Sequence, residues 1–405
     1  MDFRFTDEQE AFRKEFTTWL NTTVEEINKI YSPEFAENPE SWEAEGRDFQ
    51  RRLYDAGYSG RHYPKEYGGP GGPLEEEMII LETLEAICPK NRMPFFTTMG
   101  LIAPTFLACG TEEQKKHFLP RMLDGTHIWC QGFSEPNAGS DVVNIATRAI
   151  RKGDCYIVNG QKVWSSYSHM ADYAVMVVRT DPNVPKHKGL SYLIMDMKAT
   201  GIEVRPIVQI NGDRNFCEIF LEDVEVPRNM IIGKEGEGWK FALATMAFER
   251  AMGDVAKASF HSMLLEKMFE RSRNLKRSGR ALITDPRVRQ QLAQCWIEVV
   301  VLKSHGYRNF NNLMERGVPG PESSIGKLLW SEMYQRLTET DMQLQGLFSQ
   351  VMKGSRCAVD DGYGQNVFLH SKGSTIAAGT SEIQRNIISE RILGLPKDAT
   401  RAKKD

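Results

Sequence analysis

Two short runs of this 405-residue sequence carry residue types that could do chemistry as well as fold. The first is Gln131-Gly132-Phe133-Ser134-Glu135-Pro136-Asn137-Ala138-Gly139-Ser140-Asp141, which combines small residues, hydroxyls and a Glu-Pro turn. Its backbone can approach a ligand closely. Taken alone, such a run is ordinary loop material. The second is Gly160-Gln161-Lys162-Val163-Trp164-Ser165-Ser166, an indole beside two hydroxyls, following an Asn159-Gly160 pair that reads as a tight turn. An indole can cover a planar ring while a neighbouring hydroxyl or amide donates to a ring nitrogen. A tryptophan by itself reads as core. Three further patterns carry less. Gly233-Lys234-Glu235-Gly236-Glu237-Gly238 departs from the G-x-G-x-x-G dinucleotide pattern and follows no βαβ unit, so it reads as a hinge. The eight histidines form no H-x-x-x-H or H-E-x-x-H set, and no metal is expected. Asp360-Asp361-Gly362 lacks the remaining oxygens of a calcium loop.

These runs need a scaffold, and the spacing of apolar residues says of what kind. From Thr6 to about Asp124 they recur at three and four, as in Phe12, Phe16, Trp19 and Leu20, then Met78, Ile79, Leu81, Leu84 and Ile87. That is the spacing of a helix face. Thr111-Glu112-Glu113-Gln114 is a capping box opening a helix through Phe118 and Met122, and Tyr67-Gly68-Gly69-Pro70-Gly71-Gly72-Pro73 is a loop. Between about Ile128 and Gly233 the pattern shortens into β-rich runs at Cys155 to Val158, Tyr173 to Val178, Ser191 to Met195, Ile202 to Ile210 and Glu218 to Val226, with a second tight turn at Asn211-Gly212. Helical spacing returns after Trp239 and holds to about Leu393, broken from Gly317 to Pro321 and from Lys353 to Gly364. The expected domains are a helical 1–124, a β-domain 125–235 carrying both runs, a helical 236–395 and a polar tail 396–405. A doubly wound nucleotide-binding fold, which alternates strand and helix throughout, is excluded.

Composition narrows the partners. Apolar residues make up 41% and charged residues 26%, with a net charge of -3, values of an ordinary globular enzyme rather than a disordered chain. No global basic field draws it to nucleic acid or to an anionic membrane surface. Seven scattered cysteines, none spaced C-x-x-C, read as reduced thiols. The acidic, amphipathic N-terminus and the lack of a long apolar run point to a cytoplasmic protein.

Together the two runs resemble the acyl-CoA dehydrogenase family, and further motifs agree in order along nearly the whole chain. They include Phe5-Thr6-Asp7-Glu8-Gln9, Tyr67-Gly68-Gly69, Gly110-Thr111-Glu112-Glu113-Gln114, Phe220-Leu221-Glu222-Asp223-Val224-Glu225-Val226-Pro227, Gly236-Glu237-Gly238-Trp239, Gly379-Thr380-Ser381-Glu382-Ile383-Gln384-Arg385 and Ile388-Ser389-Glu390-Arg391. The resemblance implies a mostly α fold with a central β-domain: an N-terminal helical domain, a middle β-barrel and a C-terminal four-helix bundle. It implies FAD as cofactor, contacted by Gln131, Gly132, Phe133, Ser134, Ser140 and Ser165, with Trp164 over the isoalloxazine, Ser166 near its N5 edge, and Thr380 and Glu382 at the adenosine diphosphate half. The implied reaction removes a proton from the α-carbon of an acyl-CoA thioester and a hydride from its β-carbon, giving the trans-2-enoyl-CoA, with electrons passed to an electron-transfer flavoprotein. The thioester oxygen would be polarised by the backbone N–H of Ala378, and Ser140, Arg250 and Gly379 would lie along the acyl-CoA.

Three departures refine that picture. Many members place the catalytic glutamate directly before Gly-Thr-Ser, where this chain has Ile376-Ala377-Ala378-Gly379-Thr380. A second group, including isovaleryl- and long-chain-type enzymes, presents it from the first long C-terminal helix before an arginine, as in Ala247-Phe248-Glu249-Arg250 here. Glu249 is therefore the expected base. Its neighbours one turn away, Thr245, Met246, Met252 and Gly253, are small or apolar, so the carboxylate is expected to be partly desolvated, which suits a base. The family elements that complete a neighbour's FAD site align with Leu275-Lys276-Arg277-Ser278-Gly279 and Val351-Met352-Lys353-Gly354-Ser355-Arg356-Cys357, both eroded. Such erosion resembles heteromeric members acting on steroid side chains or dicarboxylic acids, so a homotetramer and an α2β2 heterotetramer with a related subunit both stand. Two further readings stay open: an acyl-CoA oxidase of the same fold, and a non-catalytic subunit that completes a partner's flavin site.

Overall fold

Thr6 opens the first helix as a capping box: its hydroxyl accepts the N–H of Gln9, and the Gln9 side chain accepts the N–H of Thr6. The structure is a computed structural model that describes residues 5–31, 39–89, 93–251, 253–317 and 320–397, without the side chains at 39–41, 93 and 247–251. The chain divides into two units, Phe5–Glu249 and a second beginning at Arg250. Among the described residues no helix is long and apolar enough to cross a membrane. All seven cysteines are free thiols.

The first unit starts with α1 (Asp7–Ile30), α2 (Pro39–Asp55), α3 (Leu74–Ile87), α4 (Ala103–Cys109) and α5 (Glu112–Leu123). Phe16, Leu20 and Ile27 of α1 pack with Phe49, Leu53, Ile80 and Leu84, the spacing the sequence carries. The Thr111 capping box opens α5 as expected, and Phe118 and Met122 are buried. Seven strands follow: β1 (Trp129–Gly132), β2 (Arg148–Lys152), β3 (Cys155–Ser166), β4 (Tyr173–Arg179), β5 (Leu190–Asp196), β6 (Ile202–Ile207) and β7 (Phe216–Pro227). They form one curled sheet. β4 pairs with β5 on one edge and runs parallel to β1 and then β2 on the other, while β3 runs antiparallel to β2 and β7, and β7 to β6. Alternation along β4 serves two cores: Val175 and Val177 pack with α4 and α5, whereas Ala174, Met176 and Val178 pack inside the curl with Tyr156, Val158, Ile219 and Leu221.

Two expectations change. Asn159-Gly160 is no tight turn. It lies within β3 at a register shift against β7, where Gly160 has φ 153 and a Cβ would press on Thr147. The actual turn is Gly153-Asp154, between the paired Lys152 and Cys155, with Gly153 at φ 62. The strand expected to reach Ile210 ends at Ile207, because the chain folds back at Asn211-Gly212, with the Gly212 N–H on Gln209 O. Helix α6 (Gly238–Ala251) then leaves the sheet: Gly238 lies so close to the backbone of Ser191 that a Cβ would overlap it, and Phe241 and Ala242 join the sheet-helix core.

The second unit is helical: α7 (Gly253–Asn274), the short hairpin β8 (Lys276–Arg277) and β9 (Arg280–Ala281), α8 (Pro286–Arg316), α9 (Ser323–Gln345), α10 (Tyr363–Ser371) and α11 (Ser381–Ile387). α7 through α10 form a four-helix bundle around Leu265, Met268, Leu292, Leu302, Met333, Leu337 and Val367. Asp285 caps α8 through the Arg287 N–H, and Gly317 ends it in the left-handed region. The expected breaks fall between α8 and α9 and between α9 and α10.

Candidate functional site

β1 carries Gln131 and Gly132, and a Cβ on Gly132 would crowd Met176 Cγ at 3.0 Å and Lys162 Cγ at 3.2 Å. Phe133 follows, edge-on to Tyr192 with ring centroids 5.8 Å apart. The chain then turns, Glu135 and Ala138 exchanging backbone hydrogen bonds of 3.0 Å. What holds this turn is the Glu135 side chain. Its carboxylate accepts the N–H groups of Ala146 at 2.6 Å and Thr147 at 2.9 Å and pairs with Lys162 Nζ at 2.8 Å. Lys162 is 0% exposed and also donates to Val177 O at 2.7 Å and Phe133 O at 3.3 Å. Burial pulls the lysine amine down to about 8 despite Glu135. Burial would push Glu135 up, but Lys162 and the two amide donors outweigh it and hold the carboxyl below the usual carboxylate range.

Two residues past Lys162 the strand bulges. The pairs Lys162–Ile219 and Ser165–Cys217 leave one extra residue on β3, and Trp164 sits there at φ 63. A non-glycine residue in that region is strained, and here the bulge turns a large aromatic outward, 58% exposed, edge-on to Phe216 with ring centroids 6.3 Å apart. The N–H of Val163 donates to Ser134 O at 3.0 Å, so the two runs singled out in the sequence are bonded to each other. Ser134, Ser166 and Gln131 are half-buried, and Ser140 is exposed. The buried Gln131 Oε1 and Ser165 Oγ have no protein partner among the described residues, and Ser165 faces inward.

In the second unit, Ala378 (φ 53) and Gly379 (φ 86) turn in the left-handed region before Thr380, whose hydroxyl caps α11 by accepting the Ile383 N–H. The buried Gln384 amide clamps the turn, donating to Ala378 O at 3.0 Å and Gly379 O at 3.1 Å. Thr380, Ser381 and Glu382 line a cavity of about 470 Å³ with Arg336 and Arg385. Its cations are not idle: Arg385 pairs with Glu332 at 2.5 Å and Arg336 with Glu298 at 3.1 Å. Glu382 is held below the usual carboxylate range by its own N–H and the Thr380 hydroxyl. Glu249 and Arg250 lie on α6, but their side chains fall outside the described residues. Arg277 and Arg356 are exposed, the first on β8 and the second in the α9–α10 connection.

Sequence reasoning missed the buried pairing of Glu135 and Lys162, reading the first as part of a Glu-Pro turn and giving the second no reading of its own. The available signal was a lysine two residues before the tryptophan on a strand whose inward positions alternate.

Residues 6–126, 130–224 and 236–393 match, in that order, the family models described as the N-terminal, middle and C-terminal domains of acyl-CoA dehydrogenase. Acyl-CoA dehydrogenase IpdE1 of Mycolicibacterium smegmatis is 35% identical over 368 residues, covering 87% of this chain and 89% of that protein. Among solved structures, the ChsE4-ChsE5 complex from Mycobacterium tuberculosis matches at 30% identity with a TM-score of 0.84, covering 98% of this chain and 100% of that one. The Tcur3481-Tcur3483 steroid ACAD matches at 25% identity with a TM-score of 0.84, covering 98% and 100%. With three domain models matched in family order and a relative of 35% identity along most of its length, this chain belongs to the acyl-CoA dehydrogenase family of oxidoreductases.

Proposed function

We propose that this chain dehydrogenates an acyl-CoA thioester between its α and β carbons, giving the trans-2-enoyl-CoA. The observation that carries the reading is Trp164: a large aromatic held outward by a strained bulge and hydrogen-bonded, through Val163, to the Ser134 run. FAD is the cofactor of the family. The residues fit it, since a planar ring needs an exposed aromatic face and nearby polar atoms, and Trp164, the unpartnered Gln131 Oε1 and the half-buried Ser134 and Ser166 supply both. Gln131, Gly132, Phe133, Ser134, Ser140, Trp164 and Ser166 would hold the isoalloxazine half, and Thr380 and Glu382 the adenosine diphosphate half, whereas the Ser165 side chain, expected among the flavin contacts, is turned inward and 1% exposed. When bound, FAD supplies the acceptor for the β-hydride.

The protein supplies the rest. Glu249 takes the α-proton, its carboxylate becoming a carboxylic acid. The Ala378 N–H donates to the thioester oxygen, stabilising the negative charge that grows there as the proton leaves. Arg250, Ser140 and Gly379 bind along the acyl-CoA and fix its Cα–Cβ bond in register with base and acceptor. Retention of Glu249, Trp164 and Ser166 favours a catalytic chain over one that only completes a partner's site. The likeness to a steroid enzyme and to a two-protein complex favours a bulky alicyclic acyl group and a heteromeric assembly with a related subunit, and the family resemblance implies an electron-transfer flavoprotein as acceptor.

The test is Glu249→Gln in the FAD-loaded protein. Turnover and α-proton exchange are expected to fall by about 10²–10⁴-fold with FAD still bound. Substantial remaining exchange would remove Glu249 from the role. Flavin bleaching across acyl-CoA thioesters, with and without a candidate partner subunit, reads the substrate class.

A further inference from the structure

We propose that Glu135 and Lys162 act as positioning residues for the flavin-facing surface, setting the backbone at Phe133 and Ser134 and the Trp164 bulge as one unit. The proposal rests on the FAD reading of that face. Lys162 collects three acceptors from three separate segments: the Glu135 carboxylate from the turn, Phe133 O from the exit of β1, and Val177 O from β4. Glu135 in turn holds the amides of Ala146 and Thr147, where the chain enters β2. One residue past Lys162, Val163 bonds back to Ser134 O, and one residue further Trp164 stands at φ 63. A displacement of the lysine therefore moves the carbonyl of Phe133, the Ser134 contact and the indole together.

Stability alone does not explain such a pair. Fully buried ions lose their hydration, and replacing both by apolar groups of similar volume is often neutral or stabilising. What an apolar pair cannot do is specify direction: an ammonium with three fixed acceptors holds one geometry, whereas packed methyl groups tolerate several. Trp164 gives that geometry something to act on, since a strained and largely exposed side chain has few contacts of its own to hold it.

The test compares the wild-type holoprotein with Glu135→Gln, which keeps the shape and an acceptor, and with the double variant Glu135→Gln/Lys162→Met, which removes both charges. The readouts are the FAD dissociation constant, followed by quenching of flavin emission on titrating FAD with apoprotein, the flavin absorption spectrum, and the melting temperature of the apoprotein. The double variant is expected to melt near wild type and Glu135→Gln below it, because the single change leaves Lys162 buried without its carboxylate; both are expected, while folded, to bind FAD about tenfold or more weakly and to shift the flavin band. Wild-type affinity and spectrum in a folded variant would reduce the pair to a structural contact and overturn the proposal. Should the double variant fail to fold, the Glu135→Gln result decides alone. A wild-type chain that binds no FAD would overturn the FAD reading and this inference together, whereas wild-type binding matched by the variants sinks only the inference.

Discussion

Each unit buries a carboxylate, and the two end in opposite electrostatic states. Glu135, in the sheet unit, meets Lys162 and two backbone N–H groups and lies below the ordinary carboxylate range. Asp254, in the first turn of α7, is 1% exposed and accepts the Asn309 amide at 2.9 Å. Gly326 packs against it so closely that a Cβ would overlap the carboxylate. Burial pushes its carboxyl up to about 7, which Lys257 and Asn309 offset only in part. Glu135 stays charged because a full cation and two backbone N–H donors meet it, whereas Asp254, met by the Asn309 amide, drifts toward its neutral form. One environment specifies a geometry. The other stores a pH-dependent penalty.

The largest expected effect comes from halving the paired site. Lys162→Met leaves Glu135 buried with no cation and should cost about 3–5 kcal/mol at pH 7, read by denaturant unfolding; a loss under about 1 kcal/mol would mean that Glu135 finds another partner. Next is Asp254→Asn. Because the folded value lies above the ordinary one, the fold favours the protonated acid, and stability is lost as pH rises from about 4 through about 7. A neutral amide in place of that carboxyl escapes the loss, so the variant should gain up to about 4 kcal/mol at pH 8 and little at pH 4, seen as a melting-temperature difference that opens with pH. A gap that is flat with pH would show that Asp254 does not titrate as described. Glu135 predicts the reverse slope: its stabilisation is present above the ordinary carboxylate value and fades as pH falls through its lowered one.

A smaller effect separates strain from function in the sheet unit. Trp164→Gly relieves a left-handed residue and should gain about 1–2 kcal/mol while weakening FAD binding. A stabilised variant with unchanged binding would break the link between bulge and flavin. The smallest effects are the caps, one per unit: Thr111→Ala and Asp285→Ala should each cost ~1 kcal/mol in thermal unfolding, which calibrates the two units against each other.

Much of this was legible in the sequence, in places where one local pattern decides the structure. The Thr-x-x-Gln box at Thr111 opened its helix, and apolar spacing located the long helices and five strands. β2 escaped notice because Arg148, Ile150, Arg151 and Lys152 face solvent and only Ala149 is buried, so its alternation carries no apolar signal. Asn159-Gly160 misled because a bulge and a hairpin turn ask for the same residues; the register of β3 against β7 chose between them, and that is a long-range fact. The site divided similarly. Both runs stood out by residue type, but the bond from Val163 to Ser134 and the burial of Lys162 against Glu135 join segments some tens of residues apart, and no window of sequence contains both ends.

The sheet has a consequence for the order in which the chain takes shape. β3 and β7 pair from Cys155 with Pro227 to Ser166 with Phe216, so their ladder closes loops of roughly 50 to 70 residues. The α7–α8 and α8–α9 neighbours, by contrast, are joined by short connections. Contacts of that kind form early, while long-range ladders form late and leave strand edges open in the meantime. The unit synthesised first is thus the one expected to finish later, with Trp164 and its bulge set only when the last strand zips onto β3.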